Sequence, residues 1–555
     1  MLPRIPGQIS ALFLLVSLSL FGVPMGLAPA QSEEAQSQQT MSCRAYFSAP
    51  AAGQSAVDQL GSEIEEVAKL NRRTVEELKN LLLNNKTFHL DICGRAFFAE
   101  TVVLPQQSPL PIDAPPQSSA LPTGTSSEPI VLTIKKEQTF KLRSNPDSKR
   151  VIYLDFNGER IDNTQWNANF NGGQGWTALG FSVDTDLFNF SDGEMQIIQS
   201  IWQRVAEDFA AFDVDVTTEF PGEERITRTD EKDEEYGTRV LITNDKTIFN
   251  NCKCAGLAYL GSFDLIGKSH KENQPAWVFT QGVGFNPKYI AESVTHEVGH
   301  TVGLSHDGSK TASYYSGSSG WAPIMGVGFY QPLTQWSKGE YEDADNTEDD
   351  YKIMASHGLK LRADEDSNTV DSARKVEIGS FSGIITSPTD IDLFTFTPKS
   401  TDEFTIRVEP ASLSPNLDLT LTVYQKSTPG DKTRINPENV IINGDNAKGL
   451  AASLSRKLNT GTEYIIEVDG GDVAAGDKKT DYGSLGVYRL TIVLGKDQEK
   501  PVLYQSNESN AMTSLAQKLI LPVTSTTAGG AQKLILPFDI ELEFLPRYRG
   551  MITAI

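Results

Sequence analysis

Three of the six histidines in this 555-residue chain lie within eleven residues, at positions 296, 300 and 306. His296 and His300 are four residues apart, so on an α-helix both imidazoles project from one face about a turn apart. The flanking sequence favours such a helix, because Asn286 can cap it and Pro287 suits its first position. An apolar stripe at every fourth residue predicts the buried opposite face: Ile290, Val294, Val298 and Val302.

Two histidines do not complete a hydrolytic zinc site, which needs a third protein ligand and one position open for water. Gly303 predicts a sharp turn at the end of the helix, and that turn lets His306 come back to the metal. Three neutral imidazoles would leave Zn²⁺ its full charge, which lowers the pKa of a bound water towards about 7. Glu297, next to His296, is predicted to take the proton as general base and to deliver it to the leaving amine.

The segment 296–307 (HEVGHTVGLSHD) resembles the extended zinc signature of the metzincin metallopeptidases, and Asp307 resembles their reprolysin/adamalysin branch. The resemblance extends loosely over residues 147–362 and implies a zinc metallopeptidase catalytic domain. It implies a methionine-containing turn below the metal, which segment 322–326 (APIMG) fits through Met325. In some metzincins a tyrosine after this turn assists the transition state, and Tyr330 is the nearest candidate. Ordinary packing is the alternative role for both side chains.

Residues 147–362 alternate between strand and helix patterns, which predicts an α/β or α+β catalytic domain. Four strands are predicted there, at 151–156, 239–243, 257–263 and 276–280. A helix at about 192–212 begins with Ser191 and Glu194 at capping-box spacing. Metzincin-like clefts bind an extended peptide along an exposed strand edge, and 257–263 is the predicted edge; an internal strand is the alternative.

Residues 1–30 have the pattern of a secretory signal, with Arg4, a short apolar stretch, and small residues at Ala28 and Ala30. The apolar stretch is shorter than the roughly 20 residues of a membrane-spanning helix. We therefore expect a secreted protein that is extracellular, periplasmic or cell-surface associated, with no integral membrane segment after signal removal. An excess of 72 Asp+Glu over 49 Lys+Arg argues against nucleic acid as a partner.

Residues 31–146 are predicted to form a pro-region that is partly helical and ends in a Pro/Ser-rich linker at 104–129. Apolar residues at helical spacing between positions 62 and 83 predict two short helices. Asn71 and Thr74 mark the break between them.

The four cysteines allow two interpretations. Cys43 can pair with Cys93, and Cys252 with Cys254, as disulfides of an exported protein. Alternatively, Cys93 can be an inhibitory thiolate that occupies the open zinc position until the pro-region of a zymogen is removed.

An acidic run lies at 340–350, where six further acids follow Glu340. Such oxygens can bind Ca²⁺, but the run lacks the twelve-residue loop pattern with its glycine. A solvated face is the alternative to a calcium site.

Residues 365–496 contain seven short strand patterns with turn residues between them, which predicts an all-β sandwich. Segments 389–394 (TDIDLF), 416–418 (NLD) and 482–488 (YGSLGVY) resemble the pre-peptidase C-terminal type of sandwich. That resemblance implies an accessory role in secretion, stability or surface binding. In the tail, 497–555, the heptapeptide AQKLILP occurs twice, and we have no functional account of it.

The sequence therefore predicts a multidomain protein: a partly helical N-terminal pro-region, a metzincin-like α/β (α+β) catalytic domain and an all-β sandwich. The predicted function is that of a secreted zinc-dependent endopeptidase acting on proteins or peptides. Two alternatives stay open: a catalytically silent protein that binds surfaces through the sandwich, and a zinc hydrolase of a non-peptide bond. Nothing in the sequence predicts the oligomeric state.

Overall fold

The structure, a computed structural model, describes residues 43–101, 134–184, 186–187, 189–426, 449–475 and 478–495, and the backbone of 440–444. The predicted signal, the predicted linker at 104–129 and the tail at 497–555 lie outside the described residues. Within the described ranges, no helix has the length and apolar character needed to cross a membrane.

Residues 43–101 form a small helical layer with a hairpin. The elements are α1 (Gly53–Leu60), α2 (Ile64–Leu70), α3 (Val75–Asn84), β1 (Phe88–Leu90) and β2 (Ala96–Ala99). The two helices predicted from apolar spacing are α2 and α3, and Thr74 closes a capping box at the start of α3. The apolar faces of the helices pack together with β1 and β2 in one buried cluster.

The central part of the chain interleaves strands and helices, as its sequence predicts. In order it contains β3 (Arg150–Asp155), β4 (Glu159–Ile161), α4 (Gln165–Phe170), β5 (Trp176–Ala178), α5 (Asp192–Asp208), β6 (Asp215–Thr217), α6 (Glu223–Ile226), β7 (Tyr236–Thr243), α7 (Phe249–Cys252), β8 (Gly256–Tyr259), α8 (Lys268–Glu272), β9 (Ala276–Phe279), α9 (Thr280–Val283), α10 (Pro287–Thr301), β10 (Trp321–Pro323), β11 (Leu333–Gln335) and α11 (Asp350–Ser356).

One sheet runs through the N-terminal and central parts, in the order β1-β2-β8-β9-β7-β3-β6. Strands β9, β7, β3 and β6 are parallel, whereas β8 pairs antiparallel with β9. Successive residues of β7 enter different apolar clusters, Val240 and Ile242 on one side and Leu241 on the other. Both faces of the sheet are therefore covered, as is usual for parallel strands.

Helices α5 and α10 pack against each other on one face of this sheet. Ser191 and Glu194 form the predicted capping box at the start of α5. The helix ends at Asp208, a few residues before the predicted end. Phe209 and Phe212 lie beyond it but remain buried in the same core.

Strand β8 is shorter than the predicted 257–263. Gly261 adopts φ +63°, a left-handed conformation that ends the extended chain. Its N–H group donates to the carbonyl of His300 at 2.9 Å. The turn after β8 is therefore tied to the C-terminal end of α10.

The C-terminal part is all β. Its strands are β12 (Arg374–Val376), β13 (Gly379–Ile385), β14 (Ile391–Phe396), β15 (Asp402–Pro410), β16 (Leu419–Gln425), β17 (Val440–Gly444), β18 (Ala452–Leu458), β19 (Tyr464–Gly470), β20 (Val473–Ala475), β21 (Lys478–Thr480) and β22 (Gly486–Leu494). Two sheets form, β12-β14-β19-β16-β17 and β13-β22-β15-β18. They contribute to one apolar core, in which Phe396 and Phe404 meet edge to face at 5.4 Å.

The sandwich packs directly on the central part. The rings of Tyr351 and Tyr482 stack at 4.4 Å, and the Tyr351 hydroxyl donates to the Tyr482 carbonyl at 3.1 Å. Arg204 on α5 donates to the hydroxyl of Ser414 at 2.8 Å. These contacts join the two parts through both apolar and polar groups.

Candidate metal centre

Helix α10 brings the first two histidines together on one face. The helix begins as the sequence predicts, because the Asn286 side chain accepts from the Lys288 N–H at 2.8 Å and Pro287 occupies its first turn. Val294 and Val298 are fully buried in the core. The two imidazoles project from the other side of the helix, with ring centroids 4.8 Å apart.

The turn after α10 delivers the third histidine. Gly303 has φ +94°. The N–H groups of Gly303 and Leu304 donate to the carbonyls of His300 and Gly299, both at 3.0 Å. This is the Schellman pattern of helix termination, which the sequence predicts from Gly303. The reversed chain places Nε2 of His306 only 3.1 Å from Nε2 of His300.

Each of the three rings is held through its Nδ1 atom. The partners are the Ile324 carbonyl for His296 at 3.0 Å, the Leu304 carbonyl for His300 at 2.8 Å, and the Asn85 side-chain amide for His306 at 3.1 Å. A carbonyl can only accept, so the first two rings carry Nδ1–H and direct the lone pair of Nε2 into the site. Histidines that bind metals are oriented in this way.

The donor atoms fit a zinc ion. One nitrogen from each histidine and one carboxylate oxygen of Glu100 all lie within 4.8 Å of one another. Nε2 of His296 is buried and has no hydrogen-bond partner within the described part of the chain, which a bound cation would supply. Burial, helped by the neighbouring histidines, lowers the pKa of His296 to about 3, so its ring is neutral, as a metal ligand must be.

Met325 lies directly below the histidine-bearing helix. The side chain is completely buried, and a Cβ placed on Gly299 would come within 2.4 Å of its sulfur. The backbone around it is tied to the same loops, since the Asp307 N–H donates to the Met325 carbonyl at 2.9 Å. The structure thus brings the predicted methionine turn against the segment that carries the histidines.

Glu297 is a buried carboxyl group without partners. Its side chain is 0% exposed, and neither carboxylate oxygen has a hydrogen-bond partner among the described residues. A Cβ on Gly256 would lie 1.8 Å from Oε1, so the carboxylate lies against the backbone of β8. Burial, followed by the charge of Glu100, raises the pKa of Glu297 well above its usual value. Burial of a carboxyl group without hydrogen-bond partners lowers the stability of the fold, so a purely structural role does not account for Glu297.

Glu100 is the site residue that sequence reasoning missed. Its Oε1 atom lies 3.0 Å from Nε2 of His306 and 3.2 Å from Nε2 of His300, and its Oε2 atom lies 3.9 Å from Nε2 of His296. Burial opposes ionisation of Glu100, but the three histidines outweigh it and hold its pKa well below the usual value. In the sequence, Glu100 only follows the short apolar run of β2, which is an ordinary place for a charged residue.

The tyrosine at the site is Tyr314, and the suggestion of Tyr330 is not supported. Tyr330 is 44% exposed, and its ring contacts Tyr289 at 5.7 Å. The Tyr314 ring lies 4.4 Å from the His306 ring, and its hydroxyl donates to Oε2 of Glu100. Tyr314 precedes the methionine turn, so a search restricted to tyrosines after that turn could not find it.

Cys93 does not reach the histidines as a thiol. It forms a disulfide with Cys43, and Cys252 forms one with Cys254, so the described residues contain no free cysteine. The interpretation of Cys93 as an inhibitory thiolate is therefore wrong for this structure, because the sulfur that would bind the metal is already bonded. The side chain of the N-terminal part that contacts the histidine nitrogens is Glu100.

The acidic run at 340–350 does not support a calcium site. Its acids accept hydrogen bonds from the surrounding protein: Asp350 accepts from the Ser337 N–H at 2.8 Å, and Glu348 from the Ser305 N–H at 3.0 Å. Within the described ranges, the groups of acids and histidines close enough to share a cation do not include this run. The run holds the loops next to the third histidine in place.

Comparison with known families supports a metallopeptidase class for this site. Residues 195–307 match the family model described as metallo-peptidase family M12B, reprolysin-like. The match begins in α5 and ends just after the third histidine, and it supports a zinc metallopeptidase in general. No curated protein matches the chain.

Two solved structures illustrate distant likenesses to this chain. The pre-peptidase C-terminal domain of a Bacillus anthracis collagenase is 18% identical, with 24% of this chain and 100% of that chain covered and a TM-score of 0.17. PliG of Aeromonas hydrophila, a periplasmic lysozyme inhibitor, is 13% identical, with 22% and 97% covered and a TM-score of 0.16. Likenesses this weak carry no argument about function.

Proposed function

We propose that this chain is a secreted zinc-dependent endopeptidase that hydrolyses peptide bonds of protein substrates. The observation that carries the proposal is the convergence of three imidazole Nε2 atoms, together with the buried and unpartnered carboxyl group of Glu297 on the helix that bears two of them. The reprolysin-like match over 195–307 supports the same chemistry. The signal pattern at residues 1–30 supports export.

His296, His300 and His306 would hold the zinc ion, which when bound acidifies a water molecule and polarises a carbonyl group. Glu297 accepts the proton of the attacking water and returns it to the nitrogen of the leaving amine. Its place against β8 sets this carboxyl group beside the backbone that we assign to substrate binding. Met325 supports the helix from below and so fixes the spacing of the first two rings.

We place the substrate along β8, which in the structure is an internal strand paired with β9 on one side and with β2 of the N-terminal hairpin on the other. The Ala255 N–H and the Gly256 carbonyl face away from β9, and both make hydrogen bonds to the backbone of Glu100, at 2.6 and 3.0 Å. An extended peptide of another protein can use the same two groups, since backbone pairing is independent of side-chain identity. This edge runs beside the Glu297 carboxylate, so a bound peptide would pass next to the proposed general base.

We assign to Tyr314 the assistance to the transition state that the metzincin resemblance suggested for Tyr330. Its hydroxyl donates to an oxygen of a carboxylate that touches the metal-binding nitrogens. Burial, followed by the charge of Glu100, raises its pKa well above the usual value, so the phenol keeps its proton. A protonated phenol in this position can donate to the oxyanion that develops on a substrate carbonyl.

The test is cleavage of an unfolded protein such as reduced casein by the zinc-loaded chain, followed by mass spectrometry of the fragments. The full chain and a Glu100→Ala form are both assayed, so that the carboxylate at the histidines cannot mask cleavage. We expect Glu297→Gln to retain stoichiometric zinc but to lose more than about 99% of the rate. Glu224→Gln, an exposed carboxylate on α6, is the matched control and should cleave like the parent. Cleavage by Glu297→Gln at the parental rate would refute the assigned mechanism.

A further inference from the structure

The N-terminal part of the chain lies where the substrate is expected. Strand β2 pairs antiparallel with β8, with Phe97 opposite Tyr259, Phe98 opposite Ala258 and Ala99 opposite Leu257. The pairing continues through Glu100, whose N–H donates to the Gly256 carbonyl and whose carbonyl accepts from the Ala255 N–H. Residues 96–100 thus use the backbone edge that an extended peptide would need.

The side chains of this segment close the metal centre. Glu100 is 4% exposed and directs its carboxylate at all three Nε2 atoms. Phe98, two residues earlier, stacks on the ring of His300 with centroids 4.1 Å apart. The segment therefore covers the histidines with a carboxylate and an aromatic ring.

A second set of contacts fastens the segment at a distance from the metal. Arg73 donates to the Gly303 carbonyl at 2.9 Å and pairs with Glu348 at 3.3 Å. Arg72 pairs with Asp264 at 2.7 Å. The two arginines lie in the break between α2 and α3, and they hold the loops that follow β8 and α10.

We propose that residues 43–101 are an inhibitory segment of this chain, in which Glu100 serves as the fourth ligand of the metal. This inference rests on the proposed function and adds the regulation of the same site. A carboxylate oxygen is an ordinary zinc ligand beside three histidines. The segment belongs to the same chain, so its effective concentration at the site is high and it excludes a protein substrate without tight binding of its own. Displacement of the segment frees the fourth position and the edge of β8 together.

The experiment uses the full chain loaded with Co²⁺, whose visible absorption reports its ligands, and acetohydroxamic acid as a small probe for an open metal position. Glu100→Ala removes the proposed ligand, and Glu100→Gln keeps the size of the side chain while making it a poorer ligand. We expect both variants to bind the probe at least about tenfold more tightly than the parent, and to differ from it in absorption before the probe is added. Glu65→Gln, an exposed carboxylate on α2, is the matched control and should behave as the parent.

A double variant, Arg72→Ala with Arg73→Ala, tests the fastening without touching the metal ligands. It retains Glu100 but lowers the population of the closed form, so its affinity for the probe should fall between those of the parent and Glu100→Ala. Parental affinity in this variant would overturn the role of the two arginines.

The outcomes separate this inference from the proposed function. One Co²⁺ per chain with equal probe affinity in the parent and both Glu100 variants would overturn inhibition by Glu100 and leave the endopeptidase proposal standing. Failure of every chain to bind Co²⁺ would overturn the metal centre, and the inference with it.

Discussion

The close contact between Gly299 and Met325 leads to a quantitative prediction for Gly299→Ala. Gly299 lies within α10, between His296 and His300, and a Cβ there would be 2.4 Å from the Met325 sulfur and 3.1 Å from its methyl carbon. Met325 is fully buried, so it can move away only by disturbing its neighbours. The substitution should therefore be unfavourable, although alanine is the better helix former.

Two opposing terms set the magnitude. Alanine gains about 1 kcal/mol over glycine in a helix interior. Overpacking of a buried contact costs about 1–3 kcal/mol. In a Met325→Ala background the sulfur and the methyl group are absent, so only the helix term remains and Gly299→Ala should stabilise the chain. The helix term cancels in the difference between the two backgrounds, which leaves a coupling free energy of about 1–3 kcal/mol.

The assay is urea denaturation of the four chains of this double-mutant cycle, without metal, followed by tryptophan fluorescence. All six tryptophans lie between positions 166 and 336, so the signal reports the central part of the chain and not the sandwich. Equal effects of Gly299→Ala in the two backgrounds, within about 0.5 kcal/mol, would refute the proposed contact.

Two further predictions concern His270 and Tyr314. His270 is fully buried and accepts from the Arg228 N–H, and burial lowers its pKa to about 4. The contribution of this neutral ring to the free energy of unfolding is therefore complete above the unfolded pKa of about 6.5, and it falls by about 2 kcal/mol from pH 7 to pH 5. Urea titrations at these two pH values should show that this part of the pH dependence is lost in His270→Gln. The same pH dependence in the parent and in the variant would contradict the prediction. In a Glu100→Ala chain, Tyr314→Phe should lower kcat about 10²–10³-fold while KM and zinc content stay the same; a change in KM alone would point to substrate binding instead.

The features that the sequence predicts well are local ones. The helix that carries His296 and His300, its Asn286 cap and its end before Gly303 depend on spacing, capping and one left-handed residue. Each of these signals acts within a few residues of the position it predicts. The sequence pattern predicts a strand to 263, whereas β8 ends at Tyr259 because the chain turns at Gly261, whose N–H donates to the distant carbonyl of His300.

The features that the sequence does not predict are pairings between distant segments. Glu100 is separated from His300 by 200 residues and from Tyr314 by 214, and neither spacing leaves a periodic signal. Sheet order brings them together, because the N-terminal hairpin adds to β8 and carries Glu100 to the histidines. Strand pairing between remote segments depends on the whole fold and has no local signature.

The choice between a disulfide and a metal-binding thiol at Cys93 shows the same limit. Both roles are chemically sound for one cysteine before a Pro-rich linker, and only the position of Cys43 decides between them. The Cα atoms of the two residues lie 5.8 Å apart, within disulfide range. With both N-terminal cysteines bonded to each other, the group of this part of the chain that contacts the histidines is the Glu100 carboxylate.

Burial of the histidines is compatible with an enzyme under our proposal, in which residues 43–101 cover the site and leave it on activation. The groups that orient the first two rings, the carbonyls of Ile324 and Leu304, belong to the central part of the chain, as does Met325 below them. Of the three Nδ1 partners described, only the Asn85 amide at His306 comes from residues 43–101. Departure of that segment would therefore open the site while leaving two of the three rings fixed by the same hydrogen bonds. The third ring would still be placed by the turn at Gly303. The free energy needed to order the three rings is therefore supplied when the chain folds, and departure of the segment would require no further ordering of the metal centre.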